Sequence, residues 1–320
     1  MSHKSVLDVK DVHQWFGDNR VLHDVNLRIV QGQFVAIVGP SGCGKSTLLR
    51  AVLGTVPHKK GEIATDGEIV EGPNRNVGIV YQKYGLYPWL TAEQNTAVGL
   101  MLDQSEIWER ALKPWWWRPL RRKHLAESRE LLIKFKLGQS LQHYPHELSG
   151  GMQQRVAIAQ ALIMKPKILL LDEPFGALDE ATREELQEML LWLYQENLAA
   201  RKANLDPPWT IVIITHELNE AFFVSDRIIG LSRNWYSDQE DGKRLYGKDL
   251  GATKVWDKCT PVYHPDEPRD FSRFHAMKEE LRRAVLEGVE GVVERNEHVS
   301  YWDELENSIG TGVAAITADS

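Results

Sequence analysis

Phe34-Val-Ala-Ile-Val-Gly39-Pro-Ser41-Gly-Cys43-Gly-Lys45-Ser46-Thr47-Leu-Leu-Arg-Ala-Val-Leu53-Gly54 contains three readings in succession. Five unbroken apolar residues, 34–38, are a strand covered on both faces, as in a parallel sheet. Gly39, Gly42 and Gly44 allow the backbone to turn its N–H groups, including those at Ser41 and Cys43, toward phosphate oxygens. Lys45 adds a cation and the Ser46 hydroxyl can hold Mg²⁺. From Thr47 the chain is helix-forming until Gly54 closes it. Strand, glycine-rich loop and helix in this order predict an α/β fold built on a phosphate-binding loop.

A second stretch of the same physical type lies downstream. Leu148-Ser149-Gly150-Gly151-Met152-Gln153-Gln154-Arg155 places a Ser cap and two glycines before a helix-favouring run. The N–H groups and the dipole of such a helix end attract phosphate. Beyond it, Ile168-Leu-Leu-Leu-Asp172-Glu173 is a buried strand that ends in two carboxylates, and adjacent strand residues face opposite sides. One chain thus carries two phosphate cradles.

At these residues the sequence resembles the ATPase subunit of an ATP-binding cassette (ABC) transporter, over roughly residues 6–232. The resemblance implies a P-loop NTPase core, with a mostly parallel sheet and helices on both faces, an antiparallel β-subdomain and a helical subdomain. It also resolves the two cradles: Ser149, Gly150 and Gly151 of one copy close over ATP held by Gly39–Thr47 of another. Asp172 matches the carboxylate that holds Mg²⁺, and Glu173 the general base toward the attacking water. Gln82, at the end of the strand run Val77-Gly-Ile-Val-Tyr-Gln82, matches the glutamine that contacts Mg²⁺ and water and couples the site to the transmembrane partner. Asp179 matches the loop that crosses the dimer interface. His216, after the strand Thr210–Thr215, matches the switch histidine on the γ-phosphate. An aromatic near the first hairpin stacks on adenine in the family. Phe16 fits by its place before Gly17, with Trp15 as competitor and plain packing as the alternative.

The implied domains are an ATPase domain at 1–232, with its helical subdomain at about 92–160, and an acidic extension at 233–320. Net charge is −7. Residues 233–320 carry 12 Lys+Arg against 18 Asp+Glu, and residues 1–232 carry 26 against 27. A near-neutral catalytic part and an acidic tail argue against nucleic acid as partner. Cys43 and Cys259 form no CxxC pair, which speaks against zinc or a disulfide scaffold and for a reducing compartment. No apolar run reaches membrane-spanning length and no secretory leader is evident.

Two segments fall outside the resemblance. Residues 108–123 hold Trp115-Trp116-Trp117 between prolines, with several cations. They read as a headgroup-level membrane patch or docking surface, or as a cap on the helical subdomain with solvated charges. The tail reads as polar and turn-rich to about residue 270, then as a helix near 272–287. It is expected to pack on the cassette, to meet a dimer mate or to regulate.

The segments around Gly39, Gln82 and Ser149 look most like importer ATPases for nitrate, taurine and alkyl sulfonates. The expected partners are permease subunits, a second ATPase copy in a homodimer and, indirectly, a substrate-binding protein. The expected location is the cytoplasmic face of the inner membrane. Competing readings are a non-transport ABC ATPase of DNA repair or translation, and a binding module without turnover. The first lacks a coiled-coil insertion, tandem cassettes and a basic face. The second does not need Glu173 and His216.

Overall fold

The computed structural model describes residues 4–105, 108, 112–238, 244–265, 271–286 and 293–294. The chain forms two compact units, residues 1–74 with 190–320, and residues 75–189.

In the first unit, β1 (Ser5–Phe16) pairs antiparallel with β2 (Asn19–Val30) and, on its other edge, with β4 (Lys60–Thr65). A two-residue strand, β5 (Glu68–Ile69), completes this antiparallel sheet. The same unit holds the predicted apolar strand β3 (Phe34–Val38), buried at every position. It lies parallel between β8 (Ile211–Thr215) and β9 (Arg227–Ser232). Helix α1 (Lys45–Val52) follows the loop after β3.

In the second unit, β6 (Val77–Val80) and β7 (Ile168–Asp172) pair in parallel. Around them run α2 (Ala92–Asp103), α3 (Pro114–Lys134) and α4 (Gly150–Leu162). Helix α2 starts at a reciprocal cap in which Thr91 accepts from Gln94 N–H and Gln94 accepts from Thr91 N–H. Helix α5 (Glu180–Lys202) carries the chain back to the first unit.

Two expectations are corrected. The tail, read as polar and turn-rich to about residue 270, holds strands as well. Strands β10 (Trp235–Asp238), β11 (Arg244–Tyr246) and β12 (Thr253–Cys259) lie in it, and β12 extends the β9 edge antiparallel. Trp235, Trp256, Tyr263 and Phe274 are all buried. Helix α8 (His275–Val285) packs Leu281 and Val285 so close to Gly230 that a side chain there would overlap Val285. The short helix α7 (Gly247–Leu250) precedes β12. Hence residues 233–238, 244–265 and 271–286 belong to the first unit, while the rest of the tail, at 239–243, 266–270, 287–292 and 295–320, lies outside the described residues.

The second correction concerns residues 114–123. No helix is expected across that segment, yet α3 begins at Pro114, where a missing N–H costs nothing, and continues through Pro119. Residues 109–111 of the Trp-rich insert lie outside the described residues.

What fixes β12 is a fully buried ion pair. Arg227 Nε and Nη2 donate to Asp257 Oδ1 and Oδ2 at 2.7 and 2.8 Å, and both side chains are 0% exposed. Lys254 Nζ donates to Asp257 Oδ2 at 2.8 Å, and Arg227 Nη1 donates to Arg28 O. Burial pushes the Asp257 carboxyl up, but Arg227 and Lys254 outweigh it and hold the acid below its ordinary value. A depressed carboxyl stabilises the fold above the unfolded pKa, and that contribution is lost as pH falls below about 4. Asp257→Ala, which removes the carboxylate from the buried Arg227 guanidinium, should cost about 3–5 kcal/mol in urea unfolding at neutral pH. The difference from the wild type should shrink in acid. A loss under about 1 kcal/mol would mean that the pair does not anchor the strand.

Candidate active site

In the first unit the loop after β3 is the phosphate cradle in outline. Gly42 and Gly44 sit at φ 75° and 117°, the left-handed region, and Gly44 is the N-cap residue of α1 without a side-chain cap. A side chain at Gly44 would press on Val21 and Leu22 of β2, so the loop lies directly on that strand. The first N–H groups of α1, at Lys45, Ser46 and Thr47, have no intrahelical acceptor and point out of the helix end. Ser41 and Ser46 are exposed and Thr47 is half-buried.

Lys45 is 6% exposed and its Nζ donates to Gly39 O at 2.8 Å and Pro40 O at 3.0 Å. This holds a positive charge over the loop. Cys43 contributes no thiolate: burial pushes its thiol up against the lowering effect of Lys45. Its N–H closes a turn onto Pro40 O at 3.2 Å, so this residue shapes the cradle from inside. The donor set fits a polyphosphate, with oriented N–H groups, an ammonium and two hydroxyls but no carboxylate of the loop.

At the tip of the β1–β2 hairpin Phe16 is 51% exposed and pairs with Asn19, whereas Trp15 is half-buried opposite Arg20. Of the two aromatics, Phe16 has the freer face. His216 follows β8 and is also exposed, with Nε2 at 3.9 Å from Glu217 Oε1. The turn beneath it is fixed by Thr215, whose Oγ1 accepts from Glu217 N–H at 3.0 Å and donates to Glu220 Oε2 at 2.7 Å.

The second unit brings Gln82 and Glu173 together. Gln82 Nε2 lies 3.5 Å from Glu173 Oε2, a long contact between an exposed amide and a half-buried carboxylate. Strand β7 ends at Asp172, and Glu173 sits at φ 48°. A non-glycine residue in that region costs of order 1–3 kcal/mol and turns its side chain away from the strand's alternation.

The second cradle is a true helix N-terminus. Ser149 caps α4 by accepting from Met152 N–H at 3.3 Å, which leaves the N–H groups of Gly150 and Gly151 beyond intrahelical acceptors. Gln153 secures the preceding loop by donating to Pro145 O at 2.9 Å and Leu148 O at 3.1 Å. Asp179 is exposed and its carboxylate accepts from Thr182 N–H at 3.0 Å and Thr182 Oγ–H at 2.8 Å. Those bonds hold the acid below its ordinary value. Arg155 of α4 reaches Glu185 of α5 at 2.9 Å.

These elements place the chain beside known proteins. The profile of the family described as "ABC transporter" matches residues 22–176. The aliphatic sulfonates import ATP-binding protein SsuB of Bacillus thuringiensis subsp. konkukian is 38% identical over 230 residues, 71% of this chain and 81% of the relative. The chain belongs to the ABC transporter family. The taurine import ATP-binding protein TauB of Escherichia coli K12 is 37% identical over 227 residues, 71% of this chain and 80% of the relative. A solved dimer of the ATP-binding cassette MJ0796, in a post-hydrolysis state with ADP and Pi, superposes with TM-score 0.58 at 28% identity. That likeness covers 79% of this chain and 98% of the other. As an ABC ATPase the chain binds and hydrolyses ATP, which suits the loop at Gly39–Thr47.

Sequence reading missed two residues that hold the ABC motifs in place. Asn95 is buried in α2 and clamps the loop after Gln82. Its Oδ1 accepts from Tyr87 N–H at 2.8 Å, and its Nδ2 donates to Tyr87 O, Leu90 O and Thr91 O. Thr182 links α4 to Asp179, and a side chain at Gly151 would overlap its methyl. Neither position carries a motif; an Asn in a helix's first turn was the one available signal.

Gly151→Ala should therefore destabilise the protein by about 1–3 kcal/mol through overpacking. Thr182→Ser keeps the hydroxyl on Asp179 and removes the obstructing methyl. The double variant should recover stability beyond the sum of the singles by at least 0.5 kcal/mol, read from urea unfolding of the four proteins. Additive losses would show that the contact does not matter.

Proposed function

We propose that this chain is the ATP-hydrolysing subunit of an importer for a small sulfonate-class anion, such as taurine or an alkyl sulfonate. The observation that carries the reading is the 37–38% identity to sulfonate and taurine import ATP-binding proteins across four-fifths of their length. The permease subunits, a second copy of this chain and a separate substrate-binding protein are its proposed partners. The cytoplasmic face of the cell membrane is its proposed location. Among the described residues no helix is long and apolar enough to cross a membrane.

The residue roles follow the family pattern. Phe16 stacks on the adenine. The N–H groups of the Gly39–Thr47 loop and the Lys45 ammonium hold the phosphates. In a partner copy, Ser149, Gly150 and Gly151 supply the opposing helix end, with Asp179 beside it. Bound Mg²⁺ would neutralise phosphate charge. Among the described residues no group of three or more His, Cys, Asp or Glu could hold a metal. A single carboxylate, Asp172, with the Ser46 hydroxyl and the Gln82 amide is the kind of sparse oxygen set that suits Mg²⁺ on a nucleotide. Glu173 takes the proton of the attacking water, Gln82 orients that water, and His216 donates to the γ-phosphate. Positioning and charge neutralisation supply most of the acceleration in such phosphoryl transfer.

Glu173→Gln keeps the side-chain shape and removes the base. It should lower ATP turnover by about 10²–10⁴-fold while ATP binding persists. With Mg-ATP the variant should then move from monomer to dimer in light scattering. Turnover within a few-fold of the wild type would remove Glu173 from the base role. The importer reading has its own check: cells deleted for the chain should lose uptake of labelled taurine or alkanesulfonate and regain it with the wild type but not with Glu173→Gln.

A further inference from the structure

Helix α3 has two unlike halves. From His124 onward it is anchored: His124, Ser128 and Leu132 are buried at four-residue spacing, and Phe135 is buried just past the helix end. Ser128 Oγ–H donates to Glu93 O at 2.8 Å, and Arg129 reaches the Glu93 carboxylate at 2.9 Å. Before His124 none of the residues 115–123 is buried. Over these two and a half turns, about 14 Å of helix, only Trp117 and Leu120 are half-buried and the other residues are exposed. A helix end that buries little draws little stability from the core.

Its composition is one-sided. Trp115 is 73% exposed and Trp116 41%, and nearby Trp108 and Leu112 are exposed as well. Trp115, Arg118, Pro119 and Arg122 share one side at i, i+3, i+4 and i+7, opposite the stripe through His124 and Ser128. Residues 112–126 contain Lys113, Arg118, Arg121, Arg122 and Lys123 and no acid, in a chain whose net charge is −7. Lys113 Nζ sits 5.3 Å from the Trp108 ring centre, so cation and aromatic already share one surface.

We propose that this half of α3 rests on an anionic lipid surface, with Trp115 and Trp116 at headgroup depth and Arg118, Arg122 and Lys123 facing lipid phosphates. Indole rings favour the membrane–water boundary, and long cationic side chains lie along it with their charge toward the phosphates. Charge complementarity selects this occupant, since an acid-free cationic face is repelled by cationic surfaces and gains little on neutral ones. Arg118, Arg122 and Lys123 are exposed, so their contacts with lipid leave the cooperative core of the second unit undisturbed. The contact is a lateral one that adds to any attachment through a permease, and it does not depend on which anion is carried.

The test is flotation of the purified full chain with vesicles of phosphatidylcholine alone and of phosphatidylcholine with 30 mol% phosphatidylglycerol. The expected result is binding to the anionic vesicles only, weakening as salt rises. Arg118→Gln with Arg122→Gln should lower binding roughly 25-fold, since each cation near a charged surface contributes about fivefold. Trp115→Ala with Trp116→Ala should lower it further and abolish quenching by brominated lipid. Both variants should keep the wild-type melting temperature and ATP turnover. Equal binding of the arginine variant and the wild type, equal binding to neutral vesicles, or no binding to either would overturn the proposal. So would self-association, without flotation, that disappears in the tryptophan variant, which would make a second copy the occupant.

Discussion

Parallel strands covered on both faces leave no lateral room for polar chemistry. Phe34–Val38, Ile168–Leu171 and Ile211–Thr215 are buried at every position, so a charged group within them would have to be paired or expelled. The chemistry is exported to the carboxyl ends, where backbone and side chains first escape the sheet. Gly39 follows Val38, Gln82 comes two residues after Val80, Asp172 and Glu173 end β7, and His216 follows Thr215. Each of these residues closes an apolar strand or follows it within two positions. The fold thus does more than support the site, because it dictates where along the chain site residues can occur.

The same constraint explains what was legible in the sequence. Residues 34–54 could be read because strand, left-handed glycines and helix are local and their residue types are few. Ser149 was legible as a cap for the same reason, and so was Glu173 as the residue after a buried strand. Strand β12 was not. Its anchor, Asp257, meets Arg227 across thirty residues, and in sequence both look like ordinary surface charges beside Lys254 and Lys258. Val255 and Trp256 are buried, but Lys254 and Asp257 flank them, and this short apolar pair did not outweigh the turn residues before it. The helix through Pro119 was hidden by the usual meaning of proline; a lost hydrogen bond near an exposed helix start costs less than the same loss in a packed interior. Asn95 and Thr182 were invisible because they act on backbone atoms of other segments, which no spacing rule encodes.

Within the second unit the active elements are tied to each other rather than merely near each other. Thr182 touches Gly151 and bonds Asp179, and Arg155 bonds Glu185. The helix end that offers N–H groups and the loop that carries Asp179 therefore cannot shift independently without breaking specific contacts. Asn95 does the same for the segment after Gln82, where three carbonyls and one N–H converge on a single side chain. Between those two fixed regions Gln82 itself stays exposed, with only a long contact to Glu173. A rigid frame around a loosely held amide lets the amide move without deforming the frame.

Glu173 carries the local cost of this design. A strand that simply continued would send residue 173 to the side opposite Asp172, in the alternation both neighbours obey. The left-handed turn at φ 48° ends that alternation and brings the carboxylate to Gln82. A glycine at 173 would relieve the backbone strain and lose the carboxylate, and an unstrained glutamate would keep the carboxylate and lose its direction. The strained glutamate is the one choice that gives both, and β7 can bear the cost because its four preceding residues are fully buried. Strain that stays in place only because its surroundings over-determine it is itself an argument that the group's direction matters to the chemistry.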